Sequence, residues 1–509
     1  MSSQSIPLRI LNHIEVVGNR LPHPTLLFII LAGLVLLISA LASMADLSVI
    51  HPQTNESIAV VNLLSAEGIQ RILTNTVQNF TSFAPVGTVL VAMLGLGVAE
   101  RSGLIGLLLQ RSVSKARGHF LTFGVVFAGV MSSLAADAGY VVLIPLAALI
   151  FQAAGRHPLA GIAAAFAGVS GGYSANLLLG PFDAILSGIS TEAAQLVSPG
   201  YEVSIAANYY FMVASAFLIA AVASVVTARW VEPRLRLISV SGVCDEAERD
   251  LKDSTEDNIS ESIINNRKGL RAVSLFSLVF VSLILLGLLP EAGFLRGSGS
   301  GSILGSPFMK GIVVVIALYA LVTGWIFARF SRRWESNREL VTAMESSMAG
   351  MAGYIVLMFF AAQFVAYFSW SQLGLITAIE GAELLTRLEL PPVLLLIVFI
   401  LVAATINLLV GSGSAKWALL APVFVPMLML TGIAPESTQV AFRIGDSVTN
   451  IVTPLMPYFG VVLAFAQKYR SDLGMGTMMA MMLPYSIGLL LMWSVLLAFW
   501  IGVGLPLGF

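Results

Sequence analysis

The chain contains few of the residues that soluble proteins carry at their surfaces and that metalloproteins use as ligands. Only 11% of its 509 residues are charged, against about a quarter in a typical soluble domain. Its single cysteine, Cys244, excludes an intrachain disulfide and a cysteine-rich metal centre, and its five histidines have no metal-ligand spacing. The formal net charge is −1, so no basic excess is available for nucleic acid. These absences exclude a soluble enzyme, a disulfide-rich secreted domain and a nucleic-acid-binding protein.

Apolar residues dominate the rest of the sequence. They make up 57% of the chain, and the mean hydropathy is +0.89. Since a helix of about 20 apolar residues crosses a bilayer, the chain can cross many times. The first apolar run, Leu26 to Ala45, is longer than the apolar core of about 7–15 residues in a signal peptide. We therefore interpret it as the first helix of an all-α polytopic membrane protein.

Nine segments are predicted to cross the membrane, and two longer apolar regions are predicted to form re-entrant hairpins. The crossings are 24–45, 78–99, 158–190, 205–228, 270–290, 308–328, 347–369, 438–466 and 476–505. The hairpins are 118–155, broken at 132–139, and 391–431, broken at 411–417. Glycine and small polar residues at membrane depth suit half-helices that meet at a turn, although two full crossings are the alternative in each region.

Positive charges predict the orientation of these segments. With a cytoplasmic N-terminus, 21 of the 27 Lys and Arg residues lie inside and 4 lie outside, which is a strong positive-inside bias. Lys416 and Arg443 remain within the membrane. The C-terminus is then periplasmic, and the two hairpins enter from opposite sides, as in the inverted repeats of secondary transporters with a midplane site. The polar stretch 232–267 is predicted to be a solvated cytoplasmic linker.

Ionisable residues at membrane depth are the main functional signal, because each is costly unless it is paired, hydrated or bound to an ion. They are Asp137, Asp183, Lys416, Arg443 and Asp446. The two cationic side chains could neutralise a substrate carboxylate or form salt bridges. Asp183 could bind an amine or a proton, or be a buried hydrogen-bonded partner.

The second hairpin and the helix that follows it supply hard oxygen ligands. Asp446 and Asn450 are four residues apart and share a helix face, and Asn407 ends the first hairpin arm. Pro454 would weaken the helix and free backbone carbonyls. Carboxylate, amide and carbonyl oxygens suit an alkali cation. The alternative is a buried salt bridge between Arg443 and Asp446.

The first half of the chain has weaker counterparts of these features. Ser132 and Ser133 precede Asp137, and the helix break at 170–176 ends in Asn176. This break predicts either a second cation site or close helix packing, and the residues do not separate the two. Near the second hairpin tip, Trp417 could stack on an aromatic substrate or simply pack.

A series of short motifs also runs in order along nearly the whole chain. They are Pro22–Pro24, Asn62–Ser65, Phe83–Pro85, Ala99–Arg101, Gly155–Pro158, Ser187–Ala194, Glu232–Leu235, Ser306–Gly311, Gly413–Trp417 and Arg443–Asp446. Together they resemble the p-aminobenzoyl-glutamate transporter (AbgT) family of bacterial inner-membrane proteins. The resemblance implies a homodimer of nine-helix protomers with two re-entrant hairpins. Scaffold helices are expected in 1–117 and 268–372, and a transport core in 118–231 and 391–509.

The resemblance further implies the site residues. The cation-binding positions of the family correspond to Asn407, Gly411, Asp446 and Asn450. Its substrate-pathway positions correspond to Asp183, Ser414, Trp417, Pro435, Arg443 and Pro454. We add Asn176, from the first-half break, to the substrate set. No cofactor is expected, and no metal beyond a transported sodium ion.

Family members are associated with uptake of p-aminobenzoyl-glutamate and export of sulfonamide antimetabolites. We therefore expect a secondary transporter of such compounds, coupled to Na⁺ or H⁺ by symport or antiport. The segment 411–416 lacks Walker A spacing, so we expect no ATP-driven step. The alternatives are a protein that mainly exports sulfonamides, a passive channel, and an intramembrane hydrolase that uses Ser414 or Asp137 with Asp183.

Overall fold

The structure, a computed structural model, describes residues 24–50, 57–114, 120–135, 139–235, 256–290, 293–296, 306–453, 456 and 458–509. This part of the chain is helical apart from its loops and one short antiparallel pair, β1 (Ser48–Ile50) and β2 (Ser57–Ala59). Eight helices within it are long and apolar enough to cross a membrane. They are Thr25–Met44, Ala66–Arg101, Tyr209–Leu235, Ile264–Leu288, Ile312–Phe330, Ala352–Trp370, Gly413–Leu430 and Met475–Gly502. The predicted fold class, an all-α polytopic membrane protein, is confirmed.

Helices form the N-terminal part of the described chain. They are α1 (Pro24–Met44), α2 (Ala66–Thr81), α3 (Ala84–Arg101) and α4 (Leu104–Ser114). Ser65 caps α2 by accepting a hydrogen bond from the backbone N–H of Gly68 at 3.1 Å. This cap fixes the start of α2, which leads directly into the membrane-spanning α3.

A hairpin and an interrupted helix follow. The hairpin runs from α5 (Phe120–Met131) through a 3₁₀ turn at Ser132–Ala135 and a π-helical turn at Gly139–Leu143 to α6 (Ile144–Ala153). The interrupted helix consists of α7 (Pro158–Phe166), a π-helical turn at Ala167–Gly171, and α8 (Pro181–Ala194). The long helix α9 (Tyr209–Val226) then continues through a third π-helical turn, Thr227–Val231, into α10 (Glu232–Leu235).

Helices also make up the middle of the described chain. Its helices are α11 (Glu256–Leu288), α12 (Pro307–Lys310), α13 (Ile312–Phe330), α14 (Asn337–Gly350), α15 (Ala352–Trp370) and α16 (Leu373–Arg387). Helix α13 packs on α3, and α15 packs on α1. A Cβ atom on Gly95 of α3 would lie only 1.9 Å from the main-chain oxygen of Ala317 on α13. Glycine therefore permits the close backbone approach that stabilises helix pairs in membranes.

The C-terminal part repeats the order of hairpin, interrupted helix and long helix. Its hairpin is α17 (Pro392–Asn407) and α18 (Gly413–Leu430), its interrupted helix is α19 (Pro435–Thr449) and α20 (Phe459–Gln467), and its long helix is α21 (Met475–Gly502). Proline occupies the first turn of α7, α8, α17 and α19, where its missing N–H leaves no hydrogen bond unmade. The α8 half-helix of the first repeat packs against α18 and α19 of the second. The helix breaks of the two repeats therefore meet.

The structure adjusts some predicted boundaries and confirms the predicted helix breaks. The segments 158–190 and 438–466 are each interrupted near the middle, as the predicted break at 170–176 and the predicted weakening of the helix by Pro454 indicate. Both arms of the first hairpin, with 12 and 10 residues, are shorter than the roughly 20 residues that a crossing requires. The predicted linker 232–267 is shorter than expected, since α10 occupies its start and α11 begins at Glu256. Residues 236–255, including Cys244, lie outside the described part.

Candidate functional site

Four buried charged side chains meet where α8, α18 and α19 come together. We call Asp183, Lys416, Arg443 and Asp446 the ion-pair cluster; the first is 7% exposed and the others 1%. Lys416 Nζ lies 2.5 Å from Asp446 Oδ1, and the Arg443 guanidinium pairs with the Asp183 carboxylate. Pairing offsets much of the free-energy cost of moving these charges from water into the protein interior.

The alternative of a salt bridge between Arg443 and Asp446 is wrong. Although the two residues are one helical turn apart on α19, Arg443 pairs across the junction with Asp183 of α8, and Asp446 pairs with Lys416 of α18. The two ion pairs consequently join three elements. The pair between Arg443 and Asp183 connects the first repeat to the second.

Asp183 is positioned by the start of its own helix. Its Oδ2 atom accepts a hydrogen bond from the backbone N–H of Gly180 at 2.7 Å, and its Oδ1 atom accepts from Arg443. A carboxylate in the first turn is favoured by the unsatisfied N–H groups and the positive end of the helix dipole. The interruption between α7 and α8 thus places an anionic side chain in the middle of the protein.

Asn407 organises the second half of the site. Its two Nδ2 hydrogens are shared among three acceptors, the main-chain oxygen of Asp446 at 2.5 Å, Thr449 Oγ1 at 2.7 Å and Asn450 Oδ1 at 2.9 Å. Its Oδ1 atom accepts from Lys416 Nζ. Three of the four predicted cation ligands, Asn407, Asp446 and Asn450, are therefore neighbours. Sequence reasoning missed Thr449, for which adjacency to Asn450 was the only signal.

Trp417 is fully buried, and its indole N–H is committed to hydrogen bonds. It donates to the main-chain oxygen of Leu186 at 3.2 Å and to Ser190 Oγ at 3.1 Å. Ser190 donates to Gln439 Oε1 at 2.7 Å, and Gln439 Nε2 donates to Asn208 Oδ1 at 2.8 Å. This chain of side chains connects both repeats.

Sequence reasoning missed Ser190, Asn208 and Gln439. A signal existed for the last of these, because positions 439, 443, 446 and 450 are spaced by four, three and four residues. That spacing places all four polar side chains on one face of a helix. Ser190 and Asn208 had no comparable signal.

The hydrogen-bonded chain extends to the start of α19. Asn208 Nδ2 donates to the main-chain oxygen of Glu436 at 3.0 Å, and the hydroxyl of Tyr201 donates to the Glu436 carboxylate at 3.1 Å. Burial, reinforced by the Glu436 charge, raises the pKa of Tyr201 to about 12, so its hydroxyl remains a donor at physiological pH. Pro435 begins α19, eight residues or about 12 Å along the helix from Arg443. It is therefore remote from the ion-pair cluster.

Asn176 contacts the first hairpin rather than the ion-pair cluster. Its Nδ2 group donates to Ser133 Oγ at 3.0 Å. The two helix breaks nevertheless approach each other, since Asn450 Nδ2 lies 3.5 Å from the main-chain oxygen of Ser170. The first-half break brings the main-chain carbonyl of Ser170 near the site, but no second charged group from the described residues.

The remaining predicted residues lie around the second hairpin tip or outside the described part. Gly411 is in the turn between α17 and α18, and Ser414 lies in the first turn of α18, with its Oγ atom 3.3 Å from Ser412 Oγ. Pro454 and Asp137 lie outside the described residues.

The ion-pair cluster is closed to solvent in this conformation. A cavity of about 360 Å³ lies elsewhere, between helices α2 and α15 and the C-terminal end of α8. Trp370, Gln78 and Glu192 are among the residues that line it.

Comparison with known proteins identifies the family of this chain. The family model described as "AbgT putative transporter family" matches residues 9–509. The p-aminobenzoyl-glutamate transport protein of Escherichia coli (strain K12) is 37% identical over 513 residues, covering 100% of this chain and 98% of that protein. The chain belongs to the AbgT family.

Two solved structures share its fold. The YdaH transporter of Alcanivorax borkumensis is 50% identical, with a TM-score of 0.90 over 96% of this chain and 100% of that chain. MtrF of Neisseria gonorrhoeae, described as illuminating a class of antimetabolite efflux pumps, is 46% identical, with a TM-score of 0.89 over 97% of each chain. Membership of this family makes the chain a multi-pass membrane transporter and not an enzyme, so the hydrolase alternative is wrong.

Proposed function

We propose that this chain is a cation-coupled secondary transporter of p-aminobenzoyl-glutamate or related aminobenzoyl and sulfonamide compounds. The observation that carries the proposal is the ion-pair cluster, buried where the second hairpin tip meets the two interrupted helices. Buried charges at such a junction have a high energetic cost, and in membrane proteins they mark ion or substrate pathways. Discontinuous helices of inverted repeats form the midplane sites of many secondary transporters.

Sodium is the cation that we favour, with the proton as the alternative. Asn407, Asp446 and Asn450 present amide and carboxylate oxygens within one small volume, and Gly411 lies in the adjacent turn. Hard oxygen ligands of this kind suit alkali cations. The cation is substrate in this proposal, not a resident cofactor.

The proposed substrate follows from the relatives and from the charges. The Escherichia coli relative is a p-aminobenzoyl-glutamate transport protein, and the two glutamyl carboxylates of that compound would suit Arg443 and Lys416. The predicted substrate contacts of Asp183, Ser414 and Trp417 belong to this proposal, as do those of Asn176, Pro435 and Pro454. Because Trp417 is fully buried, its ring can stack on a substrate only after the hairpin tip has moved.

Because the site is closed in this conformation, transport requires a conformational change that opens it to one side of the membrane and then to the other. We propose that α8, α18 and α19 move together against the scaffold, because ion pairs join these three elements to one another. The cavity beside α2 and α15 lies at the boundary where such movement would occur.

Export of antimetabolites as the main role is the second candidate. It is favoured by MtrF, which is 46% identical and is described with antimetabolite efflux pumps. Both candidates use the same site and differ in the direction of net flux. The prediction of a homodimer in the bacterial inner membrane, with a cytoplasmic N-terminus, also belongs to this proposal.

Counterflow in proteoliposomes tests the proposed function. Vesicles preloaded with p-aminobenzoyl-glutamate or with a sulfonamide are diluted into labelled compound, and sodium and proton gradients are imposed separately. We expect saturable counterflow that responds to the sodium gradient in the wild type and is lost in Asp446→Asn. Asp472→Asn is the matched control, since Asp472 is an exposed carboxylate paired with Arg470. Unsaturable flux without counterflow would indicate a passive channel, and flux indifferent to both gradients would refute ion coupling.

A further inference from the structure

The ammonium group of Lys416 lies among the oxygens that are predicted to bind the cation. Its Nζ atom is 2.5 Å from Asp446 Oδ1 and donates a hydrogen bond to Asn407 Oδ1. The Lys416 side chain is 1% exposed. Two of the four proposed cation ligands are therefore already engaged by a positive charge that belongs to the protein.

Hydrogen bonds that do not involve the lysine hold the Asn407 side chain in place. The Nδ2 group of Asn407 donates to the main-chain oxygen of Asp446, to Thr449 and to Asn450. With its amide nitrogen held on that side, Asn407 directs its Oδ1 atom toward the ammonium. The Asn407 oxygen would therefore keep its position if another cation replaced Lys416.

Charge balance makes it unfavourable for a sodium ion and the Lys416 ammonium to occupy the site at the same time. Among the described residues, Asp446 forms its ion pair with Lys416, whereas Arg443 is engaged with Asp183. The cluster is thus neutral with its two acids and two bases charged. A sodium ion added beside the retained ammonium would leave an uncompensated positive charge in a buried site, which is strongly unfavourable.

We propose that Lys416 is the resident cation of this site, that sodium binds by displacing its ammonium from Asp446, and that the displaced ammonium then pairs with a carboxylate of the substrate. The inference deepens the proposed function and rests on it. Sodium brings one positive charge, and the single substrate carboxylate that pairs with the displaced ammonium brings one negative charge, so these two added charges compensate each other. The flexible stem of lysine permits this exchange of partners.

Exchange of partners predicts positive coupling between sodium and an anionic substrate. Each ligand should raise the affinity for the other by the same factor, because coupling free energies are reciprocal. A neutral aminobenzene compound such as sulfanilamide has no carboxylate for the displaced ammonium and should show little coupling to sodium.

Sodium titration of the purified full-length protein tests this inference. The dissociation constant for sodium is measured by calorimetry at constant pH and ionic strength, with choline as the replaced cation. The measurement is made without substrate, with p-aminobenzoyl-glutamate and with sulfanilamide. We expect p-aminobenzoyl-glutamate to tighten sodium binding by about fivefold or more in the wild type, and sulfanilamide to leave it within about twofold.

Substitutions of Lys416 provide the second part of the test. In Lys416→Met, sodium should bind about tenfold more tightly without substrate, and the coupling to p-aminobenzoyl-glutamate should disappear. Lys416→Arg keeps an internal cation and should retain weak sodium binding. The matched control Lys468→Met removes an exposed lysine outside the site and should behave as the wild type.

Several outcomes would overturn the inference. One is unchanged or weaker sodium binding in folded Lys416→Met, and another is equal coupling to both compounds in the wild type. The second result needs no variant, so it decides the question even if Lys416→Met does not fold. Absence of sodium binding in every protein would refute the inference together with the sodium part of the proposed function, whereas sodium-driven flux without coupling would refute the inference alone.

Discussion

At the residue scale, buried charges of this chain are compensated by partners that are distant in sequence. Arg443 and Asp183 are 260 positions apart, and the pair joins α19 to α8. Both side chains are almost completely buried. Removing only one partner would leave the other charge uncompensated in the interior.

We expect Arg443→Met to lower the free energy of unfolding by about 3–5 kcal/mol, because it leaves the Asp183 carboxylate buried and unpaired. The double variant Arg443→Met with Asp183→Asn removes both charges and should recover most of this loss. The measurement is thermal or chemical unfolding of the purified protein in detergent. Strictly additive effects of the two substitutions would show that the ion pair does not form.

Trp417 is enclosed by other residues of the protein in this conformation. The sequence left open whether Trp417 stacks on an aromatic substrate or packs within the protein. In the structure the indole ring is enclosed, and its centroid lies 4.6 Å from that of Phe442. Its N–H group donates to Ser190 of the first repeat. In this conformation Trp417 connects the two repeats, and any stacking on substrate requires that contact to open.

At the scale of the elements, close helix packing depends on glycine at particular positions. Helices α3 and α13 approach so closely at Gly95 that a Cβ atom would overlap the backbone of Ala317. Backbone atoms cannot move aside as the end of a flexible side chain can. By contrast, a Cβ atom on Gly33 of α1 would meet nothing within 4 Å.

We expect Gly95→Ala to destabilise the protein by about 1–3 kcal/mol, the usual cost of forcing extra volume into a packed interface. The matched variant Gly33→Ala should be neutral or slightly stabilising, because alanine has the higher helix propensity. Unfolding temperatures of the two purified variants, compared with the wild type, check the prediction. Equal effects of both substitutions would contradict close packing of α3 and α13.

At the scale of the whole molecule, the charges of the loops predict the orientation in the membrane. The loop between α13 and α14 carries Arg332 and Arg333 and is expected to be cytoplasmic. The loop between α16 and α17 is expected to face the periplasm. Both loops contain exposed residues, Glu335 and Leu388 respectively.

Single cysteines at these two positions test the orientation. In a Cys244→Ser background, Leu388→Cys should react with a membrane-impermeant maleimide added to intact spheroplasts, whereas Glu335→Cys should react only after the membrane is permeabilised. The physical reason is the excess of positive charge that is retained in cytoplasmic loops. The reverse labelling pattern would invert the proposed topology.

The sequence by itself determined that the protein lies in a lipid bilayer and that it is helical. It also determined the short set of residues from which a site could be built. This was possible because each charge at membrane depth is costly and therefore conspicuous in an apolar chain. It also identified Asn407, Asp446 and Asn450 as candidate ligands. Asp446 and Asn450 share a helix face, and all three residues lie next to helix breaks. Hairpin and helix interruptions were signalled by glycine, serine and proline.

Only the tertiary structure decided which partners these residues have. Spacing along α19 left a pair between Arg443 and Asp446 open as an alternative, but α8 and α18 bring Asp183 and Lys416 to the same junction. Ser190 and Asn208 became part of the site for the same reason. A sequence pattern reports which face of a helix is polar, whereas the partner of each polar group depends on which other helix packs against that face.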